Sequence, residues 1–418
     1  MASVTEIPST DGQDECVERL DSLHVSDNVP RSAESFLKAA VSLKNQVVEE
    51  TGSSGGRGGR PIDPTAYTGL LGTAFVLIRS YEATGNPRDL LSCAEIVDTC
   101  AVVARGSPSR RHVTFLRGRA GVYALGAVVG NYRDDRQRCD LFLQLFLDQV
   151  AQEEALPVGP QDGGFGMSYD LLHGRAGFLW AAAFINKHIG PDTVPMALLM
   201  PVVEAVLAGG RAGALDNVSC PLMYRRHGTR YWGAVHGLAG ILHVVLHFPL
   251  SAVDAKDVKG TLRYMVRNRF PRTGNYPSSE GNPRDRLVSW AHGATGVAIV
   301  LCKAAQVFPN DREFRDAAIE AGEVVWKKGL VRKVGLLDGV CGNAYAFLSL
   351  YRLTGEKLYL DRAKAFVGFL YDNAPKLIVP PGGSIEQKYS LFQGLAGIAC
   401  LMFDMASPEN SRFPGFEM

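Results

Sequence analysis

Net charge is almost absent from this chain: 44 Lys and Arg stand against 43 Asp and Glu in 418 residues. That balance removes the electrostatic basis for binding nucleic acid or for strong attraction to an anionic membrane surface. Two short basic clusters, Arg105–Arg111 and Arg225–Arg230, read as solvated loops. No run of 18 apolar residues occurs, so no transmembrane segment is expected. The most apolar stretches, Gly121–Gly130 and Gly177–Ile185, are short and read as buried helices. The N-terminus has no basic segment leading into an apolar one, and neither end carries a lipidation motif. Eight cysteines are scattered at 16, 93, 100, 139, 220, 302, 341 and 400, with no C-x-x-C pair. This is the usage of a reducing, cytoplasmic compartment, neither a disulfide framework nor a zinc finger. Alternating apolar–polar runs are missing too, so strands have little claim.

Helical organisation is what remains. Residues 1–30 are polar, acidic and aperiodic, a tail expected to be disordered. A helix is expected over Ala33–Glu50, capped by Ser32 or Ser35 and stopped at Thr51-Gly52. A flexible Gly-rich loop, 52–60, follows with the sequence SSGGRGGR at Ser53–Arg60. From there one signature recurs, G-x-x-G opening an apolar stretch, with first glycines at 69, 118, 174, 237, 293, 339 and 394. The interval stays close to the length of two four-turn helices with their loops. The stretch after each copy is apolar nearly all round, as in GFLWAAAFI and GIACLMF, and such a helix is buried. The alternate segments, Asp311–Lys327 and Leu358–Asn373 among them, are charged on one face and belong outside. The expected fold is all-α: an α/α toroid of seven helical hairpins over residues 31–418, with glycines at i and i+3 letting neighbouring inner helices approach closely.

The residue before the first glycine opens an inner helix at one end of the ring. In the last six copies it is Arg117, His173, His236, His292, Asp338 and Gln393. Polar groups at successive helix N-termini converge on a central cavity, where free backbone N–H groups would favour an anion. A ring of them in register points to a site, although each alone could simply cap its helix. His243 and His247 have metal-ligand spacing but lie within an apolar helix and read as a core pair.

The segments carrying these residues resemble the LanC-like family, relatives of the cyclase component of lanthionine synthetases. They are Leu172–Phe178 (LHGRAGF) with Asn186–His188, Val235–Gly240 (VHGLAG), Trp290–Gly293 (WAHG), Gly342–Phe347 (GNAYAF), Phe392–Gly397 (FQGLAG) and Arg412–Phe416 (RFPGF). The resemblance runs from about residue 33 to the C-terminus and is nearest the eukaryotic, plant branch. It implies a zinc site of two cysteines and a histidine, in W-C-H-G and G-x-C-H-G segments. Zinc there lowers the pKa of a thiol that adds to dehydroalanine or dehydrobutyrine, and glutathione is the implied thiol in eukaryotic relatives.

This sequence departs from that pattern at every ligand position. Ala291 stands where the first cysteine belongs, and Leu337 and Asp338 stand where the Cys-His pair belongs. The expectation is therefore no zinc cofactor. His236 matches the family's catalytic histidine and Asp170 an aspartate near it, so an acid–base pair is expected to survive. A rebuilt metal site would have to come from His292, Asp338 and Cys341. The leading functional reading is a non-catalytic binding or signalling protein whose cavity receives a peptide or glutathione. Alternatives are thiol addition without zinc, with His236 as base; a scaffold for a signalling partner, peripheral at the plasma membrane; and, by fold analogy, a glycosidase using Asp162 and Glu280.

Overall fold

In the computed structural model, residues 30–54, 61–106, 113–155, 168–216, 219–377 and 385–418 are described. The expected tail before residue 30 and most of the Gly-rich loop, 55–60, lie outside them. In chain order the helices are α1 (Ala33–Ser54), α2 (Leu70–Thr84), α3 (Pro87–Gly106), α4 (Arg119–Tyr132), α5 (Arg136–Leu145, continued by a π-helical segment Phe146–Ala155), α6 (Arg175–His188), α7 (Met196–Gly213), α8 (Leu238–Val245), α9 (Ala252–Arg267), α10 (Ala294–Val307), α11 (Glu313–Lys328), α12 (Val340–Thr354), α13 (Lys357–Leu377), α14 (Ile385–Tyr389) and α15 (Leu395–Ala406). Among the described residues there is no strand, only two isolated bridges.

Each G-x-x-G copy opens a helix, beginning one residue after its first glycine. The glycines do something other than the expected work. A Cβ on Gly121, Gly177, Gly240 or Gly342 would overlap the carbonyl oxygen of Phe115, Leu171, Ala234 or Leu336, six residues earlier in the same chain segment. The motif thus lets the lead-in loop fold back tightly against its own helix. Contact with the neighbouring repeat comes second, as where Gly177 faces the Thr114 side chain.

The fold-back also uses the helix N–H groups. Arg175 and Ala176 donate to the carbonyls of Ser168 and Tyr169 at 3.0 and 3.1 Å; Leu238 and Ala239 donate to Tyr231 and Trp232 at 3.1 and 2.9 Å. Val340 and Cys341 repeat the pattern with Lys333 and Val334. The N-cap residue of each of these seven helices is a glycine and offers no side-chain cap, and at α10 the Asn275 side chain accepts the first N–H, of Ala294, at 3.0 Å. The expectation of free N–H donors at the inner helix starts is therefore corrected at α2, α6, α8 and α12, where loop carbonyls occupy them, and at α10, where Asn275 does.

These helices form the inner ring, in the order α2, α4, α6, α8, α10, α12, α15 and back to α2. Outer helices pack on them: α3 on α2, α5 on α4, α7 on α6, α11 on α10, α13 on α12. α1 covers α15, so the first described helix closes the ring over the last. α1 is also tied to α3 by a buried ion pair, Lys44–Asp89 at 2.8 Å, which Ser80 of α2 joins at 2.6 Å. α9 shows how an outer helix is written: Ser251 accepts from the Asp254 N–H, and Val258, Leu262 and Met265 form the buried face. α7 is long and apolar enough to cross a membrane by length and composition. Here it carries Glu204 and Arg211 and buries Leu199, Val202, Val203, Val206 and Leu207.

α1 overruns its expected stop, continuing through Thr51-Gly52 to Ser54. The Thr51 hydroxyl holds the last turns by donating to the Val47 carbonyl at 2.7 Å and lies 3.2 Å from the Thr73 hydroxyl. After α15 the C-terminal segment fills the ring's axis. Phe413 stacks on Trp290 with centroids 4.8 Å apart, and the Trp180 indole donates to the Phe416 carbonyl at 2.8 Å.

Candidate functional site

The lead-in loops meet at one end of the toroid, and backbone hydrogen bonds link them in sequence around the mouth. Tyr67 donates to Leu116, Phe392 to Tyr67, Leu337 to Phe392, Ala291 to Leu337 and Ala234 to Trp290, at 2.9–3.3 Å, while Phe115 donates to Gly177 at 3.2 Å. Each loop makes a tight turn just before its glycine. In four of them a polar side chain braces that turn by accepting the N–H three residues on: Thr114 from Arg117, Asp170 from His173, Ser289 from His292, Ser390 from Gln393. The braced residue is the ring residue itself, so its side chain is held half-buried at the mouth.

Between the α6 and α8 loops no backbone bond is present among the described residues. Side chains bridge there, centred on Asp170, which is 1% exposed. Its Oδ2 accepts from the Ser168 hydroxyl at 2.6 Å and from Arg226 Nη1 at 2.7 Å. Its Oδ1 accepts the His173 N–H at 2.7 Å and faces two imidazoles, His236 Nδ1 at 3.5 Å and His173 Nδ1 at 3.7 Å. Burial alone would raise the carboxyl pKa, but the imidazole contacts and the Arg226 charge outweigh it and hold Asp170 well below the usual carboxylate range. The two imidazoles are long for hydrogen bonds, so Arg226 is the permanent counter-charge.

Arg117, His173, His236 and His292 follow one another around the mouth. Arg117 Nη1 lies 3.4 Å from His173 Nε2, and the His173 and His236 rings stack with centroids 5.6 Å apart. Tyr231 sits between His236 and His292, at 5.8 and 6.2 Å. Asp338 carries an ion pair with Lys333 at 2.6 Å. Gln393 completes the set, with a buried Oε1 that has no partner. Burial lowers His173 to about 4 despite Asp170 nearby, and lowers His292 to about 4 with help from His236. Both are neutral at pH 7. The fixed charges at the mouth are then Arg117, Arg226 and Lys333 against Asp170 and Asp338, each carboxylate already paired. Arg117 has no carboxylate partner among the described residues; it faces the Tyr67 ring at 6.0 Å.

Several expectations need correction. Arg226 does not belong to a solvated loop: a hairpin turn through His227, at φ 47°, swings it onto Asp170. Of the other two arginines of that cluster, Arg225 stays outside and Arg230 is half-buried, both paired with Asp216. His292, Asp338 and Cys341 do not assemble a metal site, because the fully buried Cys341 thiol points at the Gly397 carbonyl of α15, 3.4 Å away. Glu280 is no free carboxylate: Trp232 Nε1 and the Tyr264 hydroxyl donate to it. Asp162 lies outside the described residues. His243, as expected of a core pair, is buried against His247 and Phe416. The sequence reading missed Arg226, Ser168, Tyr231 and Lys333. The brace was readable as a Thr, Ser or Asp four residues before a glycine, in four copies.

The family described as Lanthionine synthetase C-like protein matches residues 60–418. The chain belongs to that family. LanC-like protein GCL1 of Arabidopsis thaliana is 64% identical over 390 residues, covering 92% of this chain and 89% of the relative. Glutathione S-transferase LANCL1 of Danio rerio is 32% identical over 365 residues, 86% of each. Nisin cyclase, a solved structure, superposes with a TM-score of 0.66 at 14% identity, over 89% of this chain and 95% of its own; it supports the toroid fold.

The residues at the positions where the family resemblance puts zinc ligands do not fit the ion. Ala291 and Leu337 are neighbours, joined by a 3.0 Å backbone bond, so the positions do meet in space. Neither side chain has a donor atom, and the Lys333 ammonium already neutralises Asp338. Ligand-capable atoms of Asp170, His173 and His236 lie within 4.8 Å of one another. Their carboxylate, however, has three of its four lone pairs committed, one to a guanidinium that would repel a cation. What the trio suits is orientation of His236 beside a fixed negative charge, or closure of the ring.

Proposed function

We propose that this LanC-like chain is a binding protein whose mouth receives glutathione or a short acidic peptide without zinc-thiolate chemistry. The observation that carries the reading is the set Ala291, Leu337 and the Lys333–Asp338 ion pair at the positions where zinc ligands are expected. Arg117 is the uncompensated charge that recognises a ligand carboxylate, and the unpartnered Gln393 oxygen is an acceptor for a ligand N–H. The name of the Danio relative supports glutathione as the first ligand to try. Calorimetry with glutathione tests it: wild type binds, and Arg117→Gln binds at least tenfold more weakly, about 1.4 kcal/mol. No heat with wild type, or equal affinity in the variant, overturns the reading.

A second reading rests on the Asp170–His236 contact, 3.5 Å from Nδ1 to Oδ1. Asp170 would orient His236, whose other nitrogen takes the thiol proton as sulfur adds to the β-carbon of a dehydroalanine peptide and returns it to the α-carbon as the double bond is lost. Mass spectrometry of such a peptide incubated with glutathione decides it. An adduct that disappears in His236→Ala supports catalysis, and no adduct above that control removes it.

A further inference from the structure

Three residues that fasten the mouth loops to one another also rest on a common support. Leu116, Trp290 and Phe392 each lend a carbonyl to the belt of backbone bonds, accepting from Tyr67, Ala234 and Leu337 at 2.9, 3.3 and 3.0 Å. Their side chains are fully buried, and each meets the short segment 413–416 in the ring's axis. Phe413 stacks on Trp290 and lies 6.4 Å from the Phe392 ring. Phe416 meets Trp290 edge-on at 5.3 Å. Gly415, at φ 71°, passes so close to Leu116 that a Cβ there would stand 2.6 Å from its Cδ2. One or two residues further along each loop come Arg117, His292 and Gln393 of the polar ring. The segment is therefore a floor beneath the mouth, on which half of the ring is set.

This floor is anchored away from the mouth. Phe416 and Glu417 donate their backbone N–H groups to the Phe413 carbonyl at 3.1 and 3.0 Å, which makes the segment a turn. Glu417 closes the turn with Oε2, which accepts the Phe413 N–H at 3.0 Å. Its Oε1 ties the turn to α12, meeting the Ser349 hydroxyl at 2.8 Å and pairing with Arg352. Arg352 also donates to the Ser411 hydroxyl at 2.6 Å, holding the chain that enters the turn. On the opposite side Trp180 of α6 donates to the Phe416 carbonyl. Both partners of the Glu417–Arg352 pair are largely buried, so losing one leaves the other uncompensated. In a close-packed interior a displaced Phe413 cannot be absorbed locally, and its movement passes to the rings it touches.

We infer that residues 411–417 are a floor plug coupling the far side of the toroid to the mouth, with Glu417 as a positioning residue. Locked to Arg352, Glu417 keeps the turn seated and the α4, α10 and α15 loops in register, touching none of the ring residues itself. Unseated, those loops lose the surface they rest on, and the belt slackens at their carbonyls. The coupling is a property of the fold and holds whatever the mouth binds.

Hydrogen–deuterium exchange on the full chain under native conditions tests it. Glu417→Gln keeps the shape but sets an NH₂ group against either the Phe413 N–H or the Arg352 guanidinium. The amides of Tyr67, Ala234 and Leu337, which bond to the three supported carbonyls, should then exchange about tenfold faster or more, while the amides of the outer helix α9 keep wild-type rates. Faster exchange confined to residues 411–417 and α12 would make the pair a local tether and overturn the inference. A rise of equal size in α9, the mark of general destabilisation, overturns it as well. Should Glu417→Gln fail to fold, Phe413→Leu, which keeps the ion pair and removes the stack on Trp290, is read by the same amides and the same outcomes.

Discussion

Asp170→Asn preserves shape at the seam between the α6 and α8 loops and removes one charge. The amide oxygen can keep the His173 N–H bond, and the Ser168 hydroxyl can rotate to accept from the new NH₂ group. The Arg226 guanidinium has no such option, since it would meet a donor with a donor. Breaking a buried ion pair costs about 3–5 kcal/mol when the remaining charge is trapped. Arg226 is not trapped: its side chain is 18% exposed and borders a cleft of about 680 Å³ beside Tyr224 and His227. What is lost is then nearer one charged hydrogen bond, about 2 kcal/mol. Urea unfolding followed by circular dichroism at pH 7 measures it.

The pH dependence gives a second check on the same variant. The native Asp170 carboxyl lies well below its ordinary value, which is about 3.9 in an unfolded chain. Its contribution is complete above that value and is lost as pH falls through the depressed native one. The gap between wild type and Asp170→Asn should therefore be constant from about pH 5 to 7 and close on further acidification. A gap under about 0.5 kcal/mol at pH 7 would place it among ordinary surface substitutions and refute the ion-pair reasoning. So would a gap that persists unchanged into acid.

Other consequences can be measured alongside. His173 and His292 are each lowered to about 4, so between about pH 6.5 and 4 the unfolded chain binds more protons and stability falls with falling pH, by at most about 3 kcal/mol per histidine. His292→Gln should flatten that slope in pH-dependent urea unfolding; an unchanged slope rejects the assignment. Gly177→Ala puts a Cβ against the Leu171 carbonyl and Thr114, and should lower stability by about 1–3 kcal/mol although alanine favours helix. Gly52→Ala in α1 meets nothing within 4 Å and should raise stability by about 0.5–1 kcal/mol; the pair separates steric demand from propensity in one melting experiment. The triple variant Ala291→Cys, Leu337→Cys, Asp338→His should copurify with near-stoichiometric zinc by plasma mass spectrometry, and failure to gain metal would mean that these three positions do not converge on one ion.

Periodicity made the inner helices legible, because an apolar stretch after a recurring glycine pair has few other fates. The polar ring was legible for the same reason: register repeats, so a residue at one offset in every copy arrives at the same place. What the glycines do was not. The spacing i, i+3 is equally good for helix–helix approach and for a loop folding back, and only the carbonyl of Phe115 or Leu171 against the missing Cβ decides. Arg226 was hidden because its partner is 56 residues away and its neighbour Arg225 does face solvent. Cys341 shares spacing with Asp338, but its place inside the G-x-x-G pair already pointed to the helix packing contact. Its position one residue before Gly342 turns the thiol toward α15. The overrun of α1 past Gly52 came from Thr51, whose hydroxyl bonds lie along the helix and across to Thr73.

The interrupted chain of backbone bonds around the mouth behaves like a bracelet with a clasp. Elsewhere successive loops are fastened by the peptide itself, which no substitution short of proline can undo. At the α6–α8 joint the fastening is made of side chains, Asp170 with Arg226 and the stacked pair His173 and His236. Closing the band is work this cluster does whatever the mouth receives. Asp170 and His236 therefore have a reason to persist in this chain that owes nothing to the reaction, and a ligand that draws Arg226 toward the outer cleft would loosen the band at that one link.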